Sequence, residues 1–463
     1  MASKATILLL LLMVAQTFAQ QNNDAWQPRS YGPRAELGTR SLATGRRPQN
    51  NQQALEDVEE VDLRRREPTT PPPTRPPPTF SYMDRFSGKL FHKIVRPLQL
   101  RNVVFSPFSL HALLGMIYGA SEGKTFRELQ QVGVFGESPS AVALDFERVI
   151  KFKEPLGAAD LTLATRVFYN QRLGGINHSY DEFAKFYFDA GTEPVDMDRG
   201  KETAAKINDW VADSTRNKIR DLVKSDDISG QMQALLVNAV YFKGRWEHEF
   251  SIMDTQPAEF HHTGGRTSQV AMMYNDDVYG LADLPELEAT ALELAYKDSA
   301  TSMLILLPNQ RNGLPSLEQQ LSRPEFDLNR VAHRLRRQSV AVRLPKFRIE
   351  FERDMTEPLK DLGLLQMFAP SSQVTKLLDQ PVRVEKILQK AYIDVGEAGT
   401  EASAASYAKF VPLSLPIKSK EFTADRPFVF AIRAQNTVLF VGHVEDPTPM
   451  NARNEPKSDV YNK

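Results

Sequence analysis

Cysteine is absent from this chain of 463 residues, and histidine is scarce, with eight residues. Without cysteine there are no disulfides, so a stable fold must depend on a large apolar core, and the thiolate ligands of zinc sites are missing. An excess of one charge is lacking as well, since 57 Lys and Arg face 58 Asp and Glu. This balance gives no global argument for nucleic acid or an anionic membrane as a partner, and we predict neither.

Long hydrophobic runs are also missing, except for a short one at the N-terminus. Lys4 precedes the apolar residues 7–14, and small residues follow at Thr17 and Ala19. The run is shorter than the ~20 residues that a membrane-spanning helix needs, and the order basic, apolar, small is typical of a cleaved secretory signal. We therefore predict that residues 1–19 direct the protein to the extracellular space.

Composition divides the rest of the chain into three parts. Residues 20–80 are rich in Gln, Asn, Arg and Pro, and 68–78 read PTTPPPTRPPP, which favours extended, disordered chain. Residues 81–446 have the apolar patterning of one folded domain, and we predict a polar tail over 447–463.

Within the domain, helical and strand-like patterns alternate. Residues 81–96 have apolar residues at helical spacing, and 109–120 indicate a buried helix. Residues 237–242 and 303–307 are short apolar runs of the kind found in buried strands. No internal repeat interrupts this order. The pattern predicts a single α+β domain with mixed β-sheets and surrounding helices.

Several motifs that suggest chemistry fail on inspection. Gly123-Lys124-Thr125 lacks the spacing of a phosphate-binding loop, and His261-His262 has no second ligand pair. No Gly-x-Ser-x-Gly elbow or catalytic set is recognisable, so we predict no catalytic residues, no metal, no cofactor and no enzyme activity. Asn177-His178-Ser179 is a glycosylation sequon, and we predict a glycan on Asn177.

Four segments in register resemble the serpin family. Residues 102–129 read NVVFSPFSLHALLGMIYGASEGKTFREL, 236–250 read LVNAVYFKGRWEHEF, 344–350 read LPKFRIE and 422–432 read FTADRPFVFAI. The resemblance covers about 365 residues. It implies one serpin-type domain with an exposed reactive loop over about 396–416, and shutter and fold positions at Ser106, Ser109, Asn238, Trp246 and Gln389.

Two positions depart from the family's pattern. Gln389 stands where the family often has His, so the hydrogen bonds that usually close the central sheet cannot be assumed. Gly396-Glu397-Ala398-Gly399 replaces the usual Asn-Glu-Glu-Gly, which predicts a more mobile hinge.

The stretch 395–416, VGEAGTEASAASYAKFVPLSLP, resembles a serpin reactive loop. An inserted strand points alternate residues to opposite faces, and the even positions 400–408 are small and uncharged while Glu401 and Lys409 are odd. The alternation predicts that this segment can enter a packed sheet. The predicted hinge residues are Gly399, Thr400, Glu401, Ala402, Ser403, Ala404 and Ala405.

Two peptide bonds compete as the reactive bond. The family's usual loop length indicates Leu413-Ser414, which suits a chymotrypsin- or elastase-like protease. The side chains of Lys409-Phe410 resemble the reactive bond of insect serpins that restrain melanization, and a trypsin-like protease would cut there. Geometry favours the first bond and side-chain chemistry the second; we favour Lys409-Phe410.

The resemblance implies a secreted, monomeric suicide inhibitor whose partner is an extracellular serine protease. We expect a trypsin-like clip-domain protease of an innate immune cascade as the target. A non-inhibitory carrier or storage serpin is the alternative. Because the segment with Arg148, Lys151 and Lys153 is only sparsely basic, we predict no glycosaminoglycan cofactor.

Overall fold

The computed structural model describes residues 81–98, 100–151, 156–323, 327–400 and 419–447. The predicted signal, the Pro-rich segment and all but the first residue of the predicted C-terminal tail lie outside this part of the chain. The described residues form nine α-helices: α1 (Ser81–Val95), α2 (Pro107–Gly119), α3 (Gly123–Gly133), α4 (Pro139–Ile150), α5 (His178–Phe188), α6 (Gly200–Ser214), α7 (Leu314–Leu321), α8 (Leu328–Arg334) and α9 (Thr356–Lys360).

The same residues form fifteen strands: β1 (Val103–Phe105), β2 (Asp160–Asn170), β3 (Gly191–Val195), β4 (Ala234–Arg245), β5 (Gln256–His261), β6 (Thr267–Leu284), β7 (Ala289–Ala295), β8 (Thr301–Pro308), β9 (Arg336–Pro345), β10 (Phe347–Asp354), β11 (Val384–Gly396), β12 (Gly399–Thr400), β13 (Lys420–Thr423), β14 (Phe428–Ala434) and β15 (Thr437–Val444).

The strands build two mixed sheets. One has six strands in the spatial order β10-β11-β12-β4-β2-β3, and in it β11 also pairs directly with β4. The other follows β1-β15-β14-β8-β7-β6-β9-β13, with β5 paired to β6. Parallel pairs such as β4 with β11 occur beside antiparallel pairs such as β2 with β4. The predicted α+β class with mixed sheets is confirmed.

Helix α2 runs through the interior of the domain. The Ser106 side chain caps its first turn by accepting the Ser109 N–H, and Pro107 occupies a position where no N–H donor is needed. Every residue from Pro107 to Tyr118 is buried, as expected for a helix that is surrounded by packed elements. The buried helix predicted over 109–120 is therefore confirmed, with its start two residues earlier.

Strand β4 is covered on both faces, so it is a central strand with no solvent-facing side over residues 234–242. Its even-numbered side chains, such as Leu236 and Val240, belong to the main core. Its odd-numbered ones, such as Val237 and Tyr241, pack in a second cluster with residues of helix α6. This division fixes which way any strand added beside β4 must point its side chains.

Candidate functional site

The six-stranded sheet is forked between β4 and β11. The two strands pair directly in parallel from Val384 opposite Ala234 to Tyr392 opposite Tyr241. Beyond that point they separate, and β12 lies between them: Thr400 is opposite Val395 on one side and Gly244 on the other. Gly399 and Thr400, the first two residues of the predicted hinge, are thus already part of the sheet.

Thr400 is fully buried at this fork, and its hydroxyl lies 2.7 Å from the Tyr296 hydroxyl. Burial holds the pKa of Tyr296 above its ordinary value, so the phenol remains a neutral hydrogen-bonding group. The Tyr296 ring stacks on Trp246, with 4.6 Å between ring centroids, and the Trp246 indole N–H donates to the Gly396 carbonyl at 3.0 Å. Two aromatic rings therefore fix the position of the hinge threonine.

The turn between β11 and β12 is held by both backbone and side chain. The Trp246 N–H donates to the Ala398 carbonyl and the Phe250 N–H donates to the Glu397 carbonyl. The Glu397 carboxylate lies 2.9 Å from the Lys346 ammonium and accepts the Thr255 hydroxyl at 3.0 Å.

Glu397 is partly buried, yet it remains a favourable site for a negative charge. Burial raises the pKa of its carboxyl, but the hydrogen bonds and charge of Lys346 together with the Thr255 hydroxyl outweigh burial and lower the pKa below its ordinary value. The carboxylate therefore stays ionised at neutral pH and anchors the turn. The turn and the first two hinge residues are thus paired with the sheet, and the greater mobility of the hinge stays a prediction.

Gly399 is required by the close approach of β4. Its φ is +144°, and a Cβ atom built on it would lie 2.1 Å from the Gly244 carbonyl oxygen. Any side chain at this position would force β12 away from β4. The docked state of the hinge thus depends on a glycine immediately before Thr400.

A buried polar network closes the sheet where β4 and β11 pair directly. The Gln389 amide nitrogen lies 2.7 Å from the Asn238 side-chain oxygen, 3.0 Å from the Ser109 hydroxyl and 3.1 Å from the Ser106 carbonyl. Its side-chain oxygen accepts the Ser106 N–H at 3.0 Å. Asn238 in turn donates to Thr165 on β2. The network therefore links three strands to the start of α2.

The departure at Gln389 does not remove the closing hydrogen bonds. A primary amide offers two N–H donors and a carbonyl acceptor on one planar group, so Gln389 can donate to the acceptors around its nitrogen while its oxygen accepts the Ser106 N–H. The network brings together four of the five predicted shutter and fold residues. Trp246, the fifth, lies at the fork instead, against Gly396 and Tyr296.

Several predicted site residues fall outside the described part of the chain. These are Glu401, Ala402, Ser403, Ala404 and Ala405 of the hinge, and Lys409, Phe410, Leu413 and Ser414 of the two candidate bonds. On the far side of this gap, Ser419 is anchored: its hydroxyl donates to Asp276 at 2.8 Å and lies 2.9 Å from the Ser339 hydroxyl. The stretch 401–418 is thus covalently held between Thr400 and Ser419.

Other predicted positions have structural partners. Asn177 is half-buried, and its side-chain oxygen caps α5 by accepting the Tyr180 N–H, so its glycan stays a prediction. His262 lies between the Glu445 carbonyl and the Ser268 hydroxyl, and His261 lies near Glu259. In the described ranges no three His, Asp or Glu side chains come close enough to hold a metal ion. No helix there is long and apolar enough to cross a membrane.

Sequence reasoning missed Tyr296, Lys346 and Thr255. Each contacts the hinge from a different strand or turn, at a separation of 51 to 142 positions. A short-range pattern carries no signal for such pairs. Of these three, only Lys346 lies in a quoted motif, LPKFRIE, and that motif did not indicate its partner.

Comparison with known proteins agrees with this architecture. The family model described as serpin (serine protease inhibitor) matches residues 81–447. Alaserpin of Manduca sexta is 33% identical over 369 residues, covering 79% of this chain and 93% of the relative. The crystal structure of Serpin48 from the insect Tenebrio molitor has a TM-score of 0.72 at 28% identity, covering 79% of this chain and 97% of that one. Human thyroxine-binding globulin shares the fold, with a TM-score of 0.72 at 23% identity over 80% of this chain and 98% of that one.

The fold, the forked sheet and the family match together define a serine protease inhibitor, and the chain belongs to the serpin family. This membership assigns it to the proteins that form complexes with target serine proteases rather than to the enzymes.

We expect Gln389→Ala to lower the free energy of unfolding by about 3 kcal/mol, because buried groups of Ser106, Ser109 and Asn238 lose their partner. Urea denaturation followed by circular dichroism measures the change. As a control, Gln380→Ala removes an exposed side chain with one hydrogen bond and should cost less than about 0.5 kcal/mol. Equal costs in the two variants would contradict the role of the network.

Tyr296→Phe should loosen the docked hinge. Loss of one buried hydrogen bond of about 1 kcal/mol corresponds to a roughly five-fold rise in the undocked population. Hydrogen–deuterium exchange of the peptide containing Gly399 and Thr400 should accelerate by that factor. As a matched control, Tyr274→Phe removes the same hydroxyl group at a position on β6 beside Arg343, away from the hinge. It should leave the exchange of this peptide unchanged. Unchanged exchange in both variants would show that the phenol does not hold the hinge.

Proposed function

We propose that the chain is a suicide inhibitor, which traps a serine protease by adding a strand to its own six-stranded sheet. The observation that carries the proposal is the fork between β4 and β11, where Gly399 and Thr400 already occupy the first two positions of that strand. The residues that would continue it, 401–418, follow directly in the chain.

The chemistry begins with the protease treating this segment as a substrate. Its serine Oγ bonds to the carbonyl carbon of the reactive residue, the peptide C–N bond breaks, and the new amine leaves with a proton from the protease's histidine. An ester then links the two proteins. Insertion of the severed segment between β4 and β11 moves the ester-linked protease along the sheet before water can complete the reaction.

The parity of the fork supports insertion. Thr400 lies opposite Gly244, an even-numbered position of β4, and the even-numbered side chains of β4 belong to the main core. If the strand continues in register, residues 402, 404, 406 and 408 also face that core, and all are Ala or Ser. Glu401 then faces the other side opposite Lys243, an exposed position of β4 where a charge is tolerated more easily. Lys409 would point to the same side, next to the end of β4.

The register also bears on the reactive bond. If the strand continues in this register, each residue after Thr400 would pair with a residue one position earlier on β4, so Lys409 would reach Leu235, one residue from the end of that strand. A cut after Lys409 therefore carries the protease nearly the full length of β4, roughly 30 Å. A cut after Leu413 would add about four residues, including Pro412, which cannot donate to a central ladder. We propose Lys409-Phe410 as the reactive bond.

The target and setting follow from this bond. Lysine before the cut suits a trypsin-like protease, and we propose a clip-domain protease of an extracellular innate immune cascade such as melanization. The signal-like residues 1–19 support secretion, and the insect relatives support an arthropod setting. Thyroxine-binding globulin, by its title, binds thyroxine, but at 23% identity it supports the fold alone.

Thr400→Arg tests insertion. The variant places a charge where Thr400 is fully buried, so we expect trypsin to cleave the loop without forming an SDS-stable complex. Gel electrophoresis of the reaction mixture distinguishes the complex from the cleaved inhibitor. The matched control Glu401→Arg alters the opposite face and should still trap the protease. If Thr400→Arg formed the complex as well as the wild type does, the insertion mechanism would be wrong. If neither the wild type nor the variant formed a complex, the chain would be a carrier rather than an inhibitor.

The reactive bond is tested by mass spectrometry of the peptide released on reaction with trypsin. A fragment that begins at Phe410 supports the lysine bond, and one that begins at Ser414 assigns the leucine bond. Lys409→Ala should lower the rate of complex formation with trypsin by at least two orders of magnitude, because the basic side chain supplies the specificity. Leu413→Ala should leave that rate nearly unchanged; the reverse pattern would refute our assignment.

A further inference from the structure

His111 is a histidine inside the apolar core, where its side chain is fully buried. It lies in the second turn of α2, between the rings of Phe86 on α1 and Phe135 after α3. The ring centroids are 4.5 and 4.8 Å away, and the planes are nearly parallel. The Phe146 ring of α4 meets the imidazole edge-on at 5.4 Å. One imidazole ring therefore takes part in the packing of the first four helices.

The native packing holds this ring in its neutral form. The Nε2 atom of His111 lies 2.7 Å from the Gly133 carbonyl oxygen at the end of α3, so the N–H group of a neutral imidazole can donate there. Burial lowers the pKa of His111 to about 3, and the hydrogen bond to Gly133 offsets only part of this shift. The folded chain thus accepts the neutral ring and opposes the imidazolium.

The charged side chains of the elements packed around the ring have other contacts or are exposed. Glu128 on α3 accepts two backbone N–H groups of a neighbouring loop, and Glu147 on α4 is ion-paired with Lys151. Tyr118 also contacts the Phe135 ring, but burial raises the pKa of its phenol to about 12, so it is neutral. Arg85, Lys89, Lys124, Arg127, Glu137 and Arg148 are exposed, and His92, Lys93 and Asp145 are half-buried.

The position of His111 on α2 connects the ring to the network that closes the six-stranded sheet. Two residues before it, the Ser109 hydroxyl donates to the Asn238 side-chain oxygen at 2.7 Å and lies 3.0 Å from the Gln389 amide nitrogen. Because α2 is one continuous helix from Pro107 to Gly119, a shift of its second turn also moves its first turn. The packing around His111 therefore helps to position Ser109 against β4 and β11.

We propose that His111 is an acid-sensitive switch, whose protonation releases the packing of the first four helices and loosens the network between β4 and β11. An imidazolium between two phenylalanine rings has no carboxylate to compensate its charge, so the ring must leave the stack. The native pKa lies below the ordinary value of 6.5, so stability is complete above pH 6.5 and decreases as the pH falls toward 3. An effect on protease trapping rests on the proposed function, whereas the loss of stability does not.

Urea denaturation of the full chain at pH 7.5 and pH 5.0 tests the switch. Protonation of the unfolded histidine alone should raise the unfolding equilibrium constant roughly thirty-fold between these two pH values. His111→Gln and His111→Phe do not titrate in this range, so their rise should be smaller than that of the wild type by about this factor. The matched control His333→Gln removes an exposed histidine of α8 and should keep the full rise of the wild type.

An equal rise in the wild type and the His111 variants would overturn the switch, and so would an equal reduction in His333→Gln. If neither His111 variant folds, hydrogen–deuterium exchange of the wild-type peptide containing Gln389 decides. After correction for the chemical exchange rate it should be at least five-fold faster at pH 5.0, and no acceleration overturns the proposal.

Trapping of trypsin at pH 7.5, before and after incubation of the inhibitor at pH 5.0, separates the switch from the proposed function. Trapping that decreases after acid incubation in the wild type, and less in His111→Phe, supports the link between the switch and inhibition. Acid-dependent loosening in a chain that never traps trypsin would refute the proposed function and keep the switch. Undiminished trapping after incubation would refute the link to inhibition.

Discussion

The parallel pairing of β4 with β11 ends before either strand does, and the rest of the mechanism depends on this constraint. Backbone N–H and C=O groups inside a protein need partners, so two strands that separate within a sheet must have something between them. At the fork that partner is Gly399-Thr400. The same two strand edges, once parted further, would offer the identical set of groups to the residues that follow. In the proposed mechanism an incomplete sheet is therefore both the resting structure and the binding site for its own loop.

The closed part of the sheet is held by more than backbone. Gln389 and Asn238 join β11 to β4 through a buried side-chain bond, and the two serines at the start of α2 share the same network. Buried networks of this kind are costly to leave half satisfied, so the strands resist partial opening. The fork and the network thus lie at successive positions along the same pair of strands, β4 and β11. In the proposed mechanism the fork would receive the first residues of the inserted strand, and the network would keep the rest of the gap closed until more of the chain inserts.

Many of the strands and helices could be predicted from the spacing of apolar residues along the sequence. The long-range contacts that hold the hinge could not. Apolar alternation and short buried runs located the strands around Val237 and Met303 because strand periodicity is a short-range property. The prediction that even-numbered loop residues can enter a packed sheet likewise agrees with the burial of Thr400. Tyr296 meets Thr400 across 104 positions, a pairing on which periodicity is silent. At Gln389 reasoning from residue type alone left the outcome open, because a hydrogen-bonded site is defined by its donors and acceptors and an amide supplies enough of both.

The docking of Gly399 and Thr400 between β4 and β11 determines how strongly the resting hinge depends on the length of the loop. Between the anchors at Thr400 and Ser419 the chain has a fixed number of residues, and undocking two more lengthens this span only slightly. Since the entropy of a closed loop grows with the logarithm of its length, that lengthening is worth roughly 0.1 kcal/mol. Tether length thus contributes almost nothing to the docking equilibrium. Insertions within the span could accumulate during evolution and alter protease choice, while the resting position of the hinge stayed under the separate control of Gly399, Trp246 and Tyr296.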